Sequence, residues 1–149
     1  MSKEEMIKLV TITSPQILIT MLKHKTYSFE RLEVWHEIRR LVKKIYQITK
    51  LFPKEEKYGL VSQMRNAAVS VSNNICEGTS RISMRDQARF TEISFSSLME
   101  LLNELIVSFD LEYVNEEMLM ETRNEIDSIS NKLTQLRFSQ LKRLKPLNK

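Results

Sequence analysis

Apolar residues recur at every third or fourth position along most of this chain, in a sequence that glycine and proline hardly interrupt. Its 149 residues include two glycines and three prolines, and only Pro53, Gly59 and Gly78 lie between Pro15 and Pro146. This spacing places apolar side chains on one face of an α-helix, whereas a half-buried strand alternates apolar and polar residues. The pattern therefore predicts an all-α protein.

The first two of four predicted helices meet at Pro53. Helix A covers residues 30–51, and Pro53 ends it. The same proline is tolerated in the first turn of helix B, which runs to Glu77. Gly78 then suits the left-handed residue that often follows the last turn of a helix. These signals predict two helices joined by a tight turn.

Helices C and D begin at residues that commonly cap helix N-termini. Ser83 can cap helix C, which ends near Leu111, and Asn115 can cap helix D, which ends before Pro146. Connections of a few residues leave sequence neighbours little choice but to run antiparallel. The fold expected is therefore an antiparallel up-down-up-down four-helix bundle.

The expected bundle covers residues 27–145, between an N-terminal extension and a short tail. Residues 1–26 are interpreted as loosely ordered or docked on a neighbour, and residues 146–149 as a C-terminal tail. The single cysteine allows no internal disulfide, which fits a reducing cytosol. No apolar run approaches the roughly 20 residues of a membrane span. We therefore expect a cytoplasmic protein without membrane contact.

A stripe of polar residues borders the apolar face of helix B. It consists of Gln63, Ser70, Asn74 and Glu77. Such a stripe suits a partly buried interface, where each polar group needs a hydrogen-bond partner, and candidate partners on helix C include Glu100 and Glu104. Two interpretations stay open: a structural network within the bundle or between subunits, or a surface for a ligand or nucleic acid.

Basic residues form strips on the predicted helices. The candidates for nucleic-acid contact are Arg39, Arg40, Lys43, Lys44, Arg65, Arg81, Arg85 and Arg89. Residues four positions apart share a helical face, so several of these charges form continuous strips that suit phosphates and carry little sequence preference. Charge runs on bundles are also common as solvated faces, and that alternative stays open.

Patterns of catalytic or metal-binding residues are incomplete in this sequence. A di-metal centre in a bundle needs two Glu-x-x-His pairs, and only Glu33 with His36 supplies one, because His24 lies outside the expected bundle. Cys76 is expected to pack near the core as a small apolar residue. There is no glycine-rich phosphate loop and no nucleophile elbow. We therefore expect no enzymatic activity, no metal and no cofactor.

Several motifs resemble those of the bacterial four-helix-bundle proteins encoded in 23S ribosomal RNA intervening sequences. The matching segments are 52–60, 63–65, 67–71 and 74–78, and the resemblance extends over about residues 27–140. It implies a small cytoplasmic bundle that assembles as a homopentamer and lacks known enzymatic activity. This family is similar in fold to the accessory variability determinant of diversity-generating retroelements, which binds a reverse transcriptase and nucleic acid through a basic surface.

Two positions depart from that family pattern. Asn66 replaces a frequent second arginine after Arg65, which removes a positive charge, and Ser72 replaces a frequent proline. The residues and the resemblance together lead us to expect a non-enzymatic homo-oligomer that associates with RNA or DNA, or with a ribonucleoprotein. The alternative is a purely structural or protein-interaction bundle, such as a scaffold that assists a nucleic-acid enzyme like a reverse transcriptase.

Overall fold

The four predicted helices are present in the computed structural model, which describes residues 25–144. They are α1 (Glu33–Ile48), α2 (Leu60–Thr79), α3 (Met84–Asp110) and α4 (Glu116–Lys142). Three short 3-10 helices, Phe29–Arg31, Thr49–Leu51 and Lys54–Tyr58, flank α1 and lead into α2. Residues 25–144 contain no β-strand, so the all-α prediction is confirmed. Most of the expected N-terminal extension, and the C-terminal tail, lie outside the described residues.

Side-chain pairs give the relative direction of α1 and α4. Lys44, late in α1, bonds Glu121, early in α4, whereas Lys132, late in α4, bonds Glu33 at the start of α1. These two helices therefore run antiparallel. In addition, α2 packs on both α1 and α3, and α3 packs on α4. The four helices thus close around one core.

Aliphatic side chains from all four helices fill this core. Fully buried members include Ile38, Leu41, Ile45, Leu98, Leu101, Leu105, Ile126 and Ile129. On α2 the apolar residues that share one helical face are all buried, namely Met64, Ala67, Ala68, Val71 and Ile75. On α3, Ile93 is 38% and Phe109 is 37% exposed. On a helical wheel these two residues lie at opposite edges of the buried arc of α3.

The start of helix B differs from the prediction. Residues Lys54–Tyr58 form a 3-10 helix and Gly59 follows with non-helical backbone angles, so the α-helix begins at Leu60 rather than near Pro53. The Glu56 carboxylate accepts a hydrogen bond from the Leu60 backbone N–H at 3.0 Å. This contact satisfies one of the donors that the first turn of a helix leaves free.

The predicted end of helix B is also wrong. Gly78 lies inside α2, which continues to Thr79, and no glycine within residues 25–144 has a positive φ. The glycine allows a close approach of two helices instead. A Cβ atom at position 78 would lie 2.9 Å from the Cβ of Phe90 on α3, which is shorter than ordinary van der Waals contact.

Both predicted N-caps are confirmed. Ser83 Oγ accepts from the Asp86 backbone N–H at 3.1 Å, and Asn115 Oδ1 accepts from the Met118 backbone N–H at 2.8 Å. Each contact satisfies a donor that would otherwise lack a partner in the helix. As a result, α3 and α4 begin where the sequence predicts.

Candidate functional site

Two of the predicted nucleic-acid-binding residues are neutralised within the chain. Lys44 Nζ lies 2.8 Å from a Glu125 oxygen and 3.2 Å from a Glu121 oxygen, across the α1–α4 contact. Burial lowers the pKa of Lys44, but hydrogen bonds to Glu125 and Glu121 outweigh this effect and raise the pKa above its ordinary value. Arg81 forms an ion pair with Glu77, one turn before it. These two cations are therefore less available to a polyanion.

Two other arginines lie along the contact between α1 and α2, each above an aromatic ring. The guanidinium carbon of Arg39 lies 4.7 Å from the centre of the Trp35 ring, and that of Arg65 lies 4.6 Å from the centre of the Tyr46 ring. Arg65 Nε also donates to Thr49 Oγ1 at 2.9 Å. Within residues 25–144 neither arginine forms an ion pair. We call Trp35, Arg39, Tyr46 and Arg65 the α1–α2 seam.

A shallow groove of about 260 Å³ opens along the α1–α2 seam. Its lining residues are Arg39, Val42, Val69, Ser72 and Asn73. This lining contains no carboxylate that could offset the charge of Arg39. Arg40 and Lys43 are exposed on the outer side of α1. This part of the surface therefore combines positive charge, apolar side chains and aromatic rings.

A larger groove, of about 680 Å³, lies between α1 and α4 and has mixed charge. Arg40 and Lys43 contribute to it, but so do the carboxylates of Glu37 and Glu125. Lys132 bonds Glu37 across the same helix pair at 2.6 Å. Because carboxylates repel phosphate, the smaller α1–α2 groove is the better candidate site for an anionic polymer.

The remaining predicted cations lie where α2 leads into α3. Arg85 and Arg89 are exposed on successive turns of α3. The guanidinium carbon of Arg81 lies 4.6 Å from the centre of the Phe90 ring. The fold therefore keeps this predicted strip together at one end of the bundle. Arg85 and Arg89 form no ion pair with any other residue in the described part of the chain.

The polar stripe of α2 divides into an inner and an outer part. The Oγ atoms of Ser70 and of Ser97 on α3 lie 2.8 Å apart, and Asn74 Nδ2 donates to the Ser70 carbonyl oxygen at 2.8 Å. Gln63 and Glu77 are instead exposed, as is their predicted partner Glu100 on α3. The inner residues therefore join α2 to α3 within one chain, while the outer ones form part of the α2–α3 surface.

A buried carboxyl, Glu104 on α3, lies one turn beyond Glu100. Glu104 is 5% exposed, and its Oε2 atom has no hydrogen-bond partner within the described residues. Burial, reinforced by the charge of Glu100, raises the pKa of Glu104 to about 7. The helical periodicity of the sequence identifies Glu104 only as a candidate partner of the polar stripe. It does not show that Glu104 is buried, because that burial depends on how α2 packs against α3. A buried carboxylate without a donor is destabilising once it ionises.

Residues considered for catalysis or metal binding do not converge in the structure. His36 Nε2 lies 2.8 Å from the Glu30 carbonyl oxygen. Burial raises the pKa of the Cys76 thiol, and a protonated thiol is a poor nucleophile. Among residues 25–144 no three histidine, cysteine or acidic side chains are grouped so that they could hold a metal ion. None of the helices described is long and apolar enough to cross a bilayer.

Fold and surface together define a four-helix bundle with a basic, aromatic-lined contact between its first two helices. The chain belongs to the 23S rRNA-intervening sequence protein family, whose model matches residues 30–135, so the resemblance seen in the sequence is confirmed. A crystal structure of a protein of unknown function from the S23 ribosomal protein family of Bacteroides thetaiotaomicron VPI-5482 is similar, with a TM-score of 0.65 and 20% sequence identity. The similarity covers 70% of this chain and 94% of that chain, and at this identity it supports the fold alone. No curated protein matches the chain with significance.

Proposed function

We propose that this protein is a non-enzymatic, cytoplasmic homo-oligomer that associates with RNA or DNA, or with a ribonucleoprotein, through its basic surface. The observation that carries the proposal is a set of cations, Arg39 and Arg65 on the α1–α2 seam and Arg40 and Lys43 exposed on α1, for which the described residues supply no ion pair. Uncompensated cations on one helix pair suit phosphates, which release counterions when they are bound. Such contacts carry little sequence preference.

A charge reversal beside the seam tests this proposal. Lys43→Glu should weaken binding to a labelled RNA or DNA about tenfold at low salt, measured by fluorescence anisotropy, and should lower the slope of affinity against salt. Arg123 is exposed on α4, away from the seam, so Arg123→Glu is a control with the same change in net charge. Absence of binding to either polymer at low salt refutes the proposal. Equal losses in both variants would indicate attraction by net charge alone.

The α2–α3 surface supports a second candidate function, a structural or protein-interaction bundle such as an accessory scaffold for a nucleic-acid enzyme. Glu104 lacks a donor for Oε2 within the described residues, and a partner that supplied one would lower the cost of its burial. On the same helix pair, Asn74 donates a hydrogen bond to Ser70. We propose self-association through this face, as a pentamer by resemblance to the family.

The two candidate functions make separable predictions for Asn74→Ala. Loss of its hydrogen bonds to Ser70 should disturb the α2–α3 face and lower the oligomer mass in light scattering. Affinity for nucleic acid per subunit should stay unchanged, because Asn74 faces away from the α1–α2 seam. An unchanged mass would contradict assembly through this face and leave the nucleic-acid proposal standing.

A further inference from the structure

We infer that the α1–α2 seam takes single-stranded nucleic acid and stacks its bases on the aromatic and guanidinium planes of the seam. This binding mode rests on the proposed association with nucleic acid and adds the class of ligand. The seam pairs Arg39 with Trp35 and Arg65 with Tyr46. Proteins that bind single strands combine cations that follow the backbone with rings on which unpaired bases stack.

The rings continue past the N-terminal end of α1. Phe29 packs edge-on against Trp35, with ring centres 5.0 Å apart, and Tyr27 stacks on Phe29 at 6.2 Å with an angle of 8° between the planes. Lys25 Nζ lies 5.7 Å from the centre of the Tyr27 ring. A cation, three aromatic rings and a second cation, Arg39, therefore follow one another from residue 25 into the seam. Tyr27 is 58% exposed, so its ring is accessible to a base.

The seam is long enough for more than one base. Trp35 and Tyr46 are three helical turns apart on α1, which corresponds to about 16 Å along the helix axis. Tyr46 is 40% exposed, and Arg65 is held over its ring by the hydrogen bond to Thr49. Holding the guanidinium in this way reduces the entropy lost when a ligand binds.

Charge near the seam favours a strand with an exposed backbone. Lys43 is exposed one helical turn from Arg39 on α1, where it can contact the phosphates of a strand whose bases face the groove. Asn73 adds an amide to the groove lining, and amides can bond the edges of unpaired bases. In a duplex the bases are already stacked on one another, so only the phosphate contacts would remain. The seam should therefore prefer single strands.

The test uses the full chain with RNA and DNA oligonucleotides of equal length and with the duplex of each. Trp35 is the single tryptophan of the chain, so its fluorescence reports directly on the seam. Single strands should quench this fluorescence and bind about tenfold more tightly than duplexes. RNA and DNA strands that bind equally indicate contacts to bases and phosphates, whereas preference for RNA adds a contact to the 2′-hydroxyl; both results support the inference.

Substitutions at Tyr46 separate stacking from phosphate binding. Tyr46→Ala should weaken single-strand binding about tenfold, while Tyr46→Phe should retain it because the ring is kept. Tyr58 is 85% exposed and lies outside the seam, so Tyr58→Ala is the matched control. Helicity measured by circular dichroism verifies that each variant is folded.

Three results would overturn the inference. One is single-strand binding that Lys43→Glu weakens but Tyr46→Ala does not, which leaves the proposed function intact. Another is that the unmodified protein binds duplex and single strand with equal affinity and that neither quenches the fluorescence of Trp35. This result does not depend on the folding of any variant. The last is an absence of binding to every oligonucleotide, which removes the proposed function together with the inference.

Discussion

The buried carboxyl of Glu104 makes the stability of this bundle depend on pH, and Glu104→Gln tests that dependence. Burial, followed by the charge of Glu100, raises the pKa of Glu104 from 4.5 to about 7 in the folded chain. Between these values the unfolded chain has released the proton and the folded chain still holds it. The stability contributed by the protonated carboxyl is therefore complete below about pH 4.5 and is lost as the pH rises through about 7.

The size of this effect follows from the two pKa values. The interval from 4.5 to about 7, at about 1.36 kcal/mol per pH unit, corresponds to a loss of about 3 kcal/mol of unfolding free energy at alkaline pH. Glutamine has nearly the same shape and no charge at any pH. The stability of Glu104→Gln relative to the unmodified chain should therefore rise by about 2.5 kcal/mol between about pH 5 and about pH 8.

Urea unfolding followed by circular dichroism measures this difference at both pH values. Glu112 is exposed in the turn between α3 and α4, so Glu112→Gln is the matched control and should show no such rise. Glu100→Gln should give a smaller rise in stability relative to the unmodified chain. It removes only the charge of Glu100, the second cause of the raised pKa of Glu104, and leaves the burial in place. A difference between Glu104→Gln and the unmodified chain that is the same at both pH values would refute the reasoning.

Three further substitutions test local features of the fold by urea unfolding. Gly78→Ala should destabilise by about 1–3 kcal/mol through the short contact with Phe90, although alanine favours helix; equal or greater stability contradicts the close approach. Ser83→Ala should cost about 0.5–2 kcal/mol because the Asp86 N–H loses its cap, and a neutral result contradicts the cap. Glu112→Gly should stabilise by roughly 1 kcal/mol, since Glu112 has a φ of 61°; a loss of stability contradicts that gain.

Local signals account for the parts of the fold that the sequence predicts well. The N-caps at Ser83 and Asn115 involve donors only three residues away, so a short pattern contains the whole interaction. The core positions of α2 follow from helical periodicity alone. By contrast, the role of Gly78 depends on Phe90, and the start of α2 depends on how the Glu56 side chain folds back on Leu60. Periodicity cannot show either contact.

The candidate site is less predictable, because it depends on pairs that are distant in the sequence. Lys44 belongs to the predicted basic strip, yet its partners Glu121 and Glu125 come from α4. Arg65 is placed beside Tyr46 only by the packing of α2 on α1. The sequence thus identifies which residues are charged, and the fold decides which charges are already compensated.

The proposed ligand surface and the proposed assembly surface lie on different helix pairs, and this separation has a measurable consequence. Assembly through the α2–α3 face would leave Lys43 on α1 free in every subunit, so a long polymer could contact several seams at once. Asn74→Ala, if it dissociates the oligomer, should then weaken binding to long single strands by at least tenfold while leaving the affinity for short oligonucleotides unchanged. Equal losses for short and long strands would mean that assembly builds the binding site itself, because avidity affects only ligands that span several subunits.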